Sequence, residues 1–199
     1  MKNAFKLSSL LFVGLILFQV SCSDDAEPTP DPLPDPTGSW VLQKATLVTP
    51  DPLLVKNYTT DGQNFVDLSV PAGDFQTTTL LVGGALAGAA CENPANYGGF
   101  YLELVSDGTL DFHCPAEDFV EEQGSWVVLE TAGSYSITLN VVAAGTTLPI
   151  TFKNFVLAAD GSNFTGQASG YPMVKDLSMD LSADNLQFLT VDMVFVAKP

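Results

Sequence analysis

The chain has 199 residues, with 23 acidic side chains against 7 lysines and no arginine. A net charge of −16 repels nucleic acid, so we expect no nucleic-acid partner. The length beyond an N-terminal leader suits one domain with a sizeable hydrophobic core.

Residues 1–21 have the features of a secretory signal peptide. Lys2 and Lys6 form a positive region, and an apolar run extends from residue 7 to residue 20. That run is shorter than the roughly 20 apolar residues that span a bilayer, and it has the proportions of a signal-peptide core. The N-terminus therefore predicts an exported protein.

The residues that end this apolar run resemble the lipobox of bacterial lipoproteins. Val20-Ser21-Cys22 places a small residue before a cysteine, although Gln19 stands where that family prefers Leu, Val or Ile. The resemblance implies that Cys22 becomes the acylated first residue of the mature chain and anchors it in the membrane. The alternative is ordinary cleavage after Ser23, which would discard Cys22.

Residues 22–36 are predicted to form a lipidated tether. Ser23-Asp24-Asp25 resembles the acidic export signal of surface lipoproteins in some Gram-negative bacteria. That resemblance implies a lipid-anchored protein of the outer membrane whose domain faces outward. Prolines alternate along residues 26–36, which favours an extended polyproline II spacer.

Residues 37–199 predict one all-β domain. Turn signals recur at Asp61-Gly62, Asp107-Gly108, Ala132-Gly133, Ala144-Gly145 and Asp160-Gly161. Segments rich in β-branched and aromatic residues lie between them, and the candidate strands are 40–48, 65–70, 75–82, 100–105, 109–112, 125–130, 134–141, 148–157, 163–169, 176–181 and 186–197. The stretch from Gly83 to Ala90 fits a short helix or a glycine-rich loop. Many short strands at this spacing predict an antiparallel barrel, with a sandwich as the alternative.

Period-two alternation of apolar and polar residues assigns the two faces of each strand. The predicted inward set is Tyr135, Ile137, Leu139 and Val141; Leu189, Val191, Met193 and Phe195; and Phe100, Leu102 and Leu104 opposite Leu110 and Phe112. In a filled barrel these side chains are packed core. In a hollow barrel they line a cavity, and the predicted ligand-binding residues are then Phe100, Leu102, Phe112, Ile137, Leu139, Met193 and Phe195.

Cys91 and Cys114 remain as a pair once Cys22 carries lipid. In an oxidising compartment two remaining cysteines usually form a disulfide. His113 beside Cys114 suggests a metal site as the alternative. However, the chain has one histidine and no CxxC motif, so we expect no metal and no cofactor.

A short motif occurs twice: Gly38-Ser39-Trp40 recurs as Gly124-Ser125-Trp126. We interpret both tryptophans as core residues at the start of a strand, and the alternative is an exposed platform that stacks on sugars. The motif is similar to the Gly-x-Trp that opens the first strand of lipocalin-like barrels.

The order of motifs resembles the lipocalin-like domains of bacterial outer-membrane lipoproteins. Cys91-Glu92-Asn93, Ser106-Asp107-Gly108-Thr109, Cys114 and the second Gly-Ser-Trp follow in that family's order, and the resemblance covers residues 38–142. It implies an antiparallel up-and-down β-barrel, often with an internal apolar cavity. It implies no particular ligand.

Three functions are consistent with the sequence. The first is a lipid-anchored binding protein that holds a small apolar or amphipathic ligand inside the barrel. The second is a surface interaction protein with a side-chain-filled barrel that binds a glycan or a protein through its loops. The third is an enzyme of unrecognised type.

The sequence favours a monomeric binding protein over an enzyme, and we assign no catalytic residue. There is no Gly-x-Ser-x-Gly nucleophile elbow, and Ala89 stands where a phosphate-binding loop needs lysine. Glu117-Asp118 and Glu121-Glu122 flank a predicted turn. We interpret them as a solvated loop rather than as the paired carboxylates of a glycosidase.

Overall fold

The computed structural model describes residues 32–59, 63–143, 146–179 and 182–199. The predicted signal peptide, Cys22 and most of the tether lie outside the described residues, as do the turn signals Asp61-Gly62 and Ala144-Gly145. Contacts group residues 33–199 into one compact unit. Within the described residues, no helix is both long enough and apolar enough to cross a membrane.

Ten strands and one α-helix account for most of the described chain. The strands are β1 (Gly38–Leu47), β2 (Leu53–Tyr58), β3 (Val66–Val70), β4 (Tyr101–Leu104), β5 (Thr109–Cys114), β6 (Phe119–Thr131), β7 (Ser134–Ala143), β8 (Thr146–Leu157), β9 (Asn163–Val174) and β10 (Leu186–Ala197). The helix α1 is Gln76–Ala87, and short 3₁₀ turns cover Pro94–Gly99, Pro115–Glu117 and Ala183–Asn185.

Eight of the strands close into an antiparallel barrel in the order β1-β10-β9-β8-β7-β6-β5-β4. From β4 to β10 each strand pairs with the next strand in sequence, and β1 closes the barrel between β10 and β4. The remaining strands, β2 and β3, form a separate hairpin. The predicted all-β antiparallel up-and-down barrel is therefore confirmed, and the sandwich alternative is wrong.

The hairpin predicted at Asp107-Gly108 joins β4 to β5. The Asp107 carboxylate accepts a hydrogen bond from the Thr109 N–H at 2.9 Å. Hydrogen bonding by Thr109 lowers the pKa of Asp107, because these bonds favour the ionised carboxylate. The hairpin sets the register in which Leu104 pairs with Leu110 and Glu103 with Asp111.

The predicted strand faces are confirmed. Every predicted inward residue is buried except Tyr135, which is half-buried and packs against the core. A bulge interrupts the alternation in β8, where Asn154 has a φ of 53°. Because the bulge adds one residue on the outer face, Phe152 and Phe155 both point inward.

Helix α1 replaces the strand predicted at residues 75–82, so that prediction was wrong. The three consecutive threonines favour a strand by propensity, but Thr78, Leu81 and Val82 recur at helical spacing and are buried. The Asp74 carboxylate accepts a hydrogen bond from the Thr77 N–H at 2.8 Å and so satisfies one N–H group at the start of the helix. Of the two alternatives for Gly83–Ala90, the helix is correct as far as Ala87.

Three smaller predictions also need correction. The strand predicted at 176–181 is absent from the described residues of that range, since β9 ends at Val174 and a turn follows; residues 180 and 181 are not described. Strand β2 was not predicted. Strand β6 begins at Phe119, so Glu121 and Glu122 lie within it rather than in a loop.

Candidate functional site

The seven residues predicted to bind a ligand all lie inside the barrel wall. They are the buried side chains Phe100, Leu102, Phe112, Ile137, Leu139, Met193 and Phe195. Phe100 and Phe112 meet edge to face, with 5.2 Å between ring centroids. The alternation therefore identified the inner face correctly, while the role of these side chains depends on what else occupies the interior.

Aromatic rings fill the part of the barrel around Phe195. The Phe164 ring stacks on Phe195 with 4.7 Å between centroids, and Trp40 meets the Phe164 ring edge-on at 4.8 Å. Phe152 contacts Phe195, and Phe155 contacts Phe164, at centroid distances of 6.1 and 5.5 Å. These five rings come from four strands and interdigitate as in a protein core.

A glycine on β9 makes room for this packing. A Cβ atom on Gly166 would lie 2.9 Å from the Cβ of Phe152, which is closer than side-chain atoms approach each other. The inward position of Gly166 is thus occupied by the neighbouring phenylalanine. Close packing of this kind is typical of a side-chain-filled barrel rather than of a ligand cavity.

The repeated Gly-Ser-Trp motif has the same geometry at both sites. Gly38 and Gly124 have φ angles of 138° and 143°, a region that residues with a Cβ rarely adopt. The Trp40 indole donates a hydrogen bond to the Pro36 carbonyl at 2.7 Å, and the Trp126 indole donates one to the Val105 carbonyl at 2.9 Å. Trp40 is buried near the start of β1, and Trp126 is half-buried and packs against the core, so the core interpretation is confirmed. Trp126 lies in the middle of β6, however, and not at the start of a strand as predicted.

The predicted Cys91–Cys114 disulfide is present and joins the segment after α1 to the end of β5. Both cysteines are buried. Because Cys114 points inward while its neighbour His113 lies on the outer face, these two side chains do not converge on one metal ion.

Three pockets are lined by residues other than the five packed rings. One of about 390 Å³ lies beside Trp126 and the tether residues 33–35, and one of about 440 Å³ lies at the β8 bulge. The pocket at the bulge touches one predicted ligand-binding residue, Met193. A third pocket, of about 450 Å³, lies at the disulfide; this disulfide-edge pocket is lined by Ala90, Glu92, Asn93, Asn96, Glu117 and Phe119.

Glu117 holds the wall of the disulfide-edge pocket in place. One carboxylate oxygen accepts hydrogen bonds from the Asn93 N–H at 2.9 Å and from the Asn96 side chain at 2.8 Å, and the other accepts one from the Glu92 N–H at 2.9 Å. The hydrogen bond from the Asn93 N–H, together with those from Asn96 and Glu92, holds the pKa of Glu117 below its usual range. The Asn93 bond has the largest effect on this pKa. The carboxylate is therefore a hydrogen-bond acceptor at neutral pH.

The Glu117 carboxylate is better suited to accepting hydrogen bonds than to acid catalysis. A glycosidase needs one carboxylic acid with a raised pKa to protonate the leaving group, whereas the pKa of Glu117 is lowered. What the pocket does provide is amide and carboxylate groups beside the exposed ring of Phe119. Sequence reasoning missed this pocket because its residues come together only when the disulfide folds the segment after α1 against the start of β6.

Comparison of the chain with models of known protein families, with curated proteins and with solved structures gave no match. The resemblance to lipocalin-like lipoprotein domains thus continues to depend on the order of the sequence motifs.

Proposed function

We propose that this chain is an exported, lipid-anchored binding protein. Its barrel is filled by side chains and carries a ligand pocket on the outside. The proposed ligand is a neutral, hydroxyl-rich molecule such as a glycan. The observation that carries this proposal is the packing of five aromatic rings inside the barrel, those of Trp40, Phe152, Phe155, Phe164 and Phe195. Because these rings fill their part of the barrel, we expect a ligand at the surface, where the three pockets lie.

The disulfide-edge pocket supports this ligand chemistry. Its volume of about 450 Å³ is within the range of small-molecule sites. Amide and carboxylate groups accept hydrogen bonds from hydroxyl groups, and amide N–H groups donate to them. The flat ring of Phe119, 40 % exposed, offers an apolar surface to one face of a sugar.

Charge argues against an anionic ligand. From residue 37 onward the chain has 18 acidic side chains against 5 lysines, and two of those acids, Glu92 and Glu117, line the disulfide-edge pocket. A field of this sign repels anions. A neutral sugar meets no such barrier.

The N-terminal residues support the location. We propose that Cys22 is acylated and that the tether places the barrel at the outer membrane, facing outward. Cells fed a fatty-acid analogue should label the wild-type protein and not the Cys22→Ser variant. Equal labelling of the two proteins would contradict the anchor.

The glycan proposal is tested by calorimetry with a panel of neutral oligosaccharides. We expect one or more to bind, and we expect Phe119→Ala to weaken that binding at least tenfold. Phe188→Ala is the matched control, because it removes an exposed ring, 65 % accessible, from β10 outside the pocket.

A parallel thermal-shift screen tests the alternative in which the barrel interior binds an apolar ligand. The panel contains fatty acids, sterols and isoprenoids. A ligand that binds only the native state raises the melting temperature. A shift with these compounds, together with no binding of any oligosaccharide, would overturn the proposal in favour of an internal ligand.

A further inference from the structure

The outer face of the β4–β5 hairpin brings together the one histidine of the chain and two carboxylates. Glu103 on β4 pairs directly with Asp111 on β5, and His113 lies two residues beyond Asp111 on the same face. One ligand atom from each of the three side chains lies within 4.8 Å of those of the other two. All three are half-buried.

The contact between His113 and Glu103 is close without being a hydrogen bond. The histidine Nε2 lies 2.8 Å from a carboxylate oxygen of Glu103. Nevertheless, this buried nitrogen makes no hydrogen bond within the described residues. When two atoms ligate the same metal ion at about 2.1 Å, they lie about 3 Å apart. Their lone pairs then point at the ion rather than at each other.

Neighbouring side chains hold the imidazole in this orientation. The Tyr101 ring stacks on His113 with 4.3 Å between centroids and 9° between planes. The Lys198 ammonium lies 3.5 Å from the centroid of the Tyr101 ring. His113 is only 13 % exposed, so its orientation is restricted before any ion arrives.

The acidic residues of this face repel one another. Asp111 is paired with Glu103 on one side and with Glu122 of β6 on the other, which gives a row of three acids across three strands. Like charges directly opposite each other destabilise a sheet. A divalent cation between Glu103 and Asp111 would neutralise two of these charges.

Contrary to the expectation from the sequence, we propose that Glu103, Asp111 and His113 form a binding site for one divalent transition-metal ion of the zinc type. A neutral imidazole with two carboxylates is a nitrogen and oxygen donor set, and imidazole favours Zn²⁺ and its neighbours over Mg²⁺ and Ca²⁺, which prefer oxygen ligands alone. Three side chains on an outer face leave coordination positions accessible to water. The site is distinct from the disulfide-edge pocket and does not depend on the proposed function.

The test is titration of the full chain, purified without a histidine tag, with Zn²⁺ at neutral pH. Calorimetry should give one saturable site per chain. Asp111→Asn and His113→Gln should each weaken binding at least tenfold, and Mg²⁺ should bind at least a hundredfold more weakly than Zn²⁺. Glu122→Gln is the matched control, because it removes the same charge from the same row without removing a ligand, and it should weaken binding less than threefold.

A second readout does not require a variant to fold. Because the chain has a single histidine, its imidazole NMR signals are unambiguous, and they should shift with one equivalent of Zn²⁺. Unshifted imidazole signals would overturn the proposal. Equal weakening by Glu122→Gln and Asp111→Asn, or binding without saturation, would do so as well, because either result would mean only adventitious attraction of cations to an acidic surface.

Discussion

Phe195 lies among the packed rings inside the barrel, so its truncation to alanine measures how full the interior is. The side chain is 2 % exposed, stacks on Phe164 and contacts the edge of Phe152. Truncating a buried phenylalanine costs about 3–5 kcal/mol, and each lost aromatic pair adds about 0.5–1.5 kcal/mol. Because the closed barrel limits how far the neighbours can move into the gap, we expect a loss near the upper end, about 4–5 kcal/mol.

Urea denaturation of the wild type and of Phe195→Ala measures this loss. The midpoint should fall while the slope stays unchanged, and the melting temperature should drop by about 8–20 °C. Phe188→Ala, which removes an exposed ring from the same strand, should change stability by less than about 0.5 kcal/mol. A loss below about 1.5 kcal/mol for Phe195→Ala would refute the reasoning, since a ring beside an open cavity has less contact to lose.

Three further predictions concern the disulfide, one glycine and one carboxylate. Replacing Cys91 and Cys114 together by serine should cost about 3 kcal/mol in the free energy of unfolding, and peptide mapping of the wild type without reductant should recover the two cysteines linked. Gly124→Ala should lower the free energy of unfolding, measured by urea denaturation, by about 3 kcal/mol, because its Cβ would lie 1.8 Å from a backbone oxygen of β7. Gly133→Ala is the control: it has open space at its Cβ and should cost about 1 kcal/mol. Equal losses for the two variants would contradict this argument. The pKa of Glu117 is lower in the folded state, so its carboxylate stabilises the fold above the unfolded pKa near 4.5, and this stabilisation is lost as the pH falls through the folded pKa. The difference in free energy of unfolding between wild type and Glu117→Gln should therefore shrink from pH 7 to pH 3. A constant difference would contradict this argument.

Much of the barrel could be predicted because its signals are local. Alternation over 134–141 and 186–197 identified the inner faces of β7 and β10, and Asp107-Gly108 identified the β4–β5 hairpin. The disulfide followed from counting cysteines in an exported chain. Helix α1 was missed because the propensity of a threonine run favours a strand, while burial against β1 favours a helix.

The state of the interior and the candidate sites could not be predicted in this way. Alternation assigns a face but not a volume, so the filling of the barrel depends on details such as Gly166 beside Phe152 and the bulge at Asn154. Glu103 and His113 are ten residues apart and meet only through the register of the hairpin. Glu117 reaches Asn93 only through the chain path that the disulfide imposes.

Native mass spectrometry, before and after extraction with organic solvent, tests the central claim that the barrel interior holds side chains rather than a ligand. The chain with its covalent modifications should have the same mass in both spectra. An additional mass that is present under gentle conditions and disappears on extraction, together with a lower melting temperature of the extracted protein, would contradict the account.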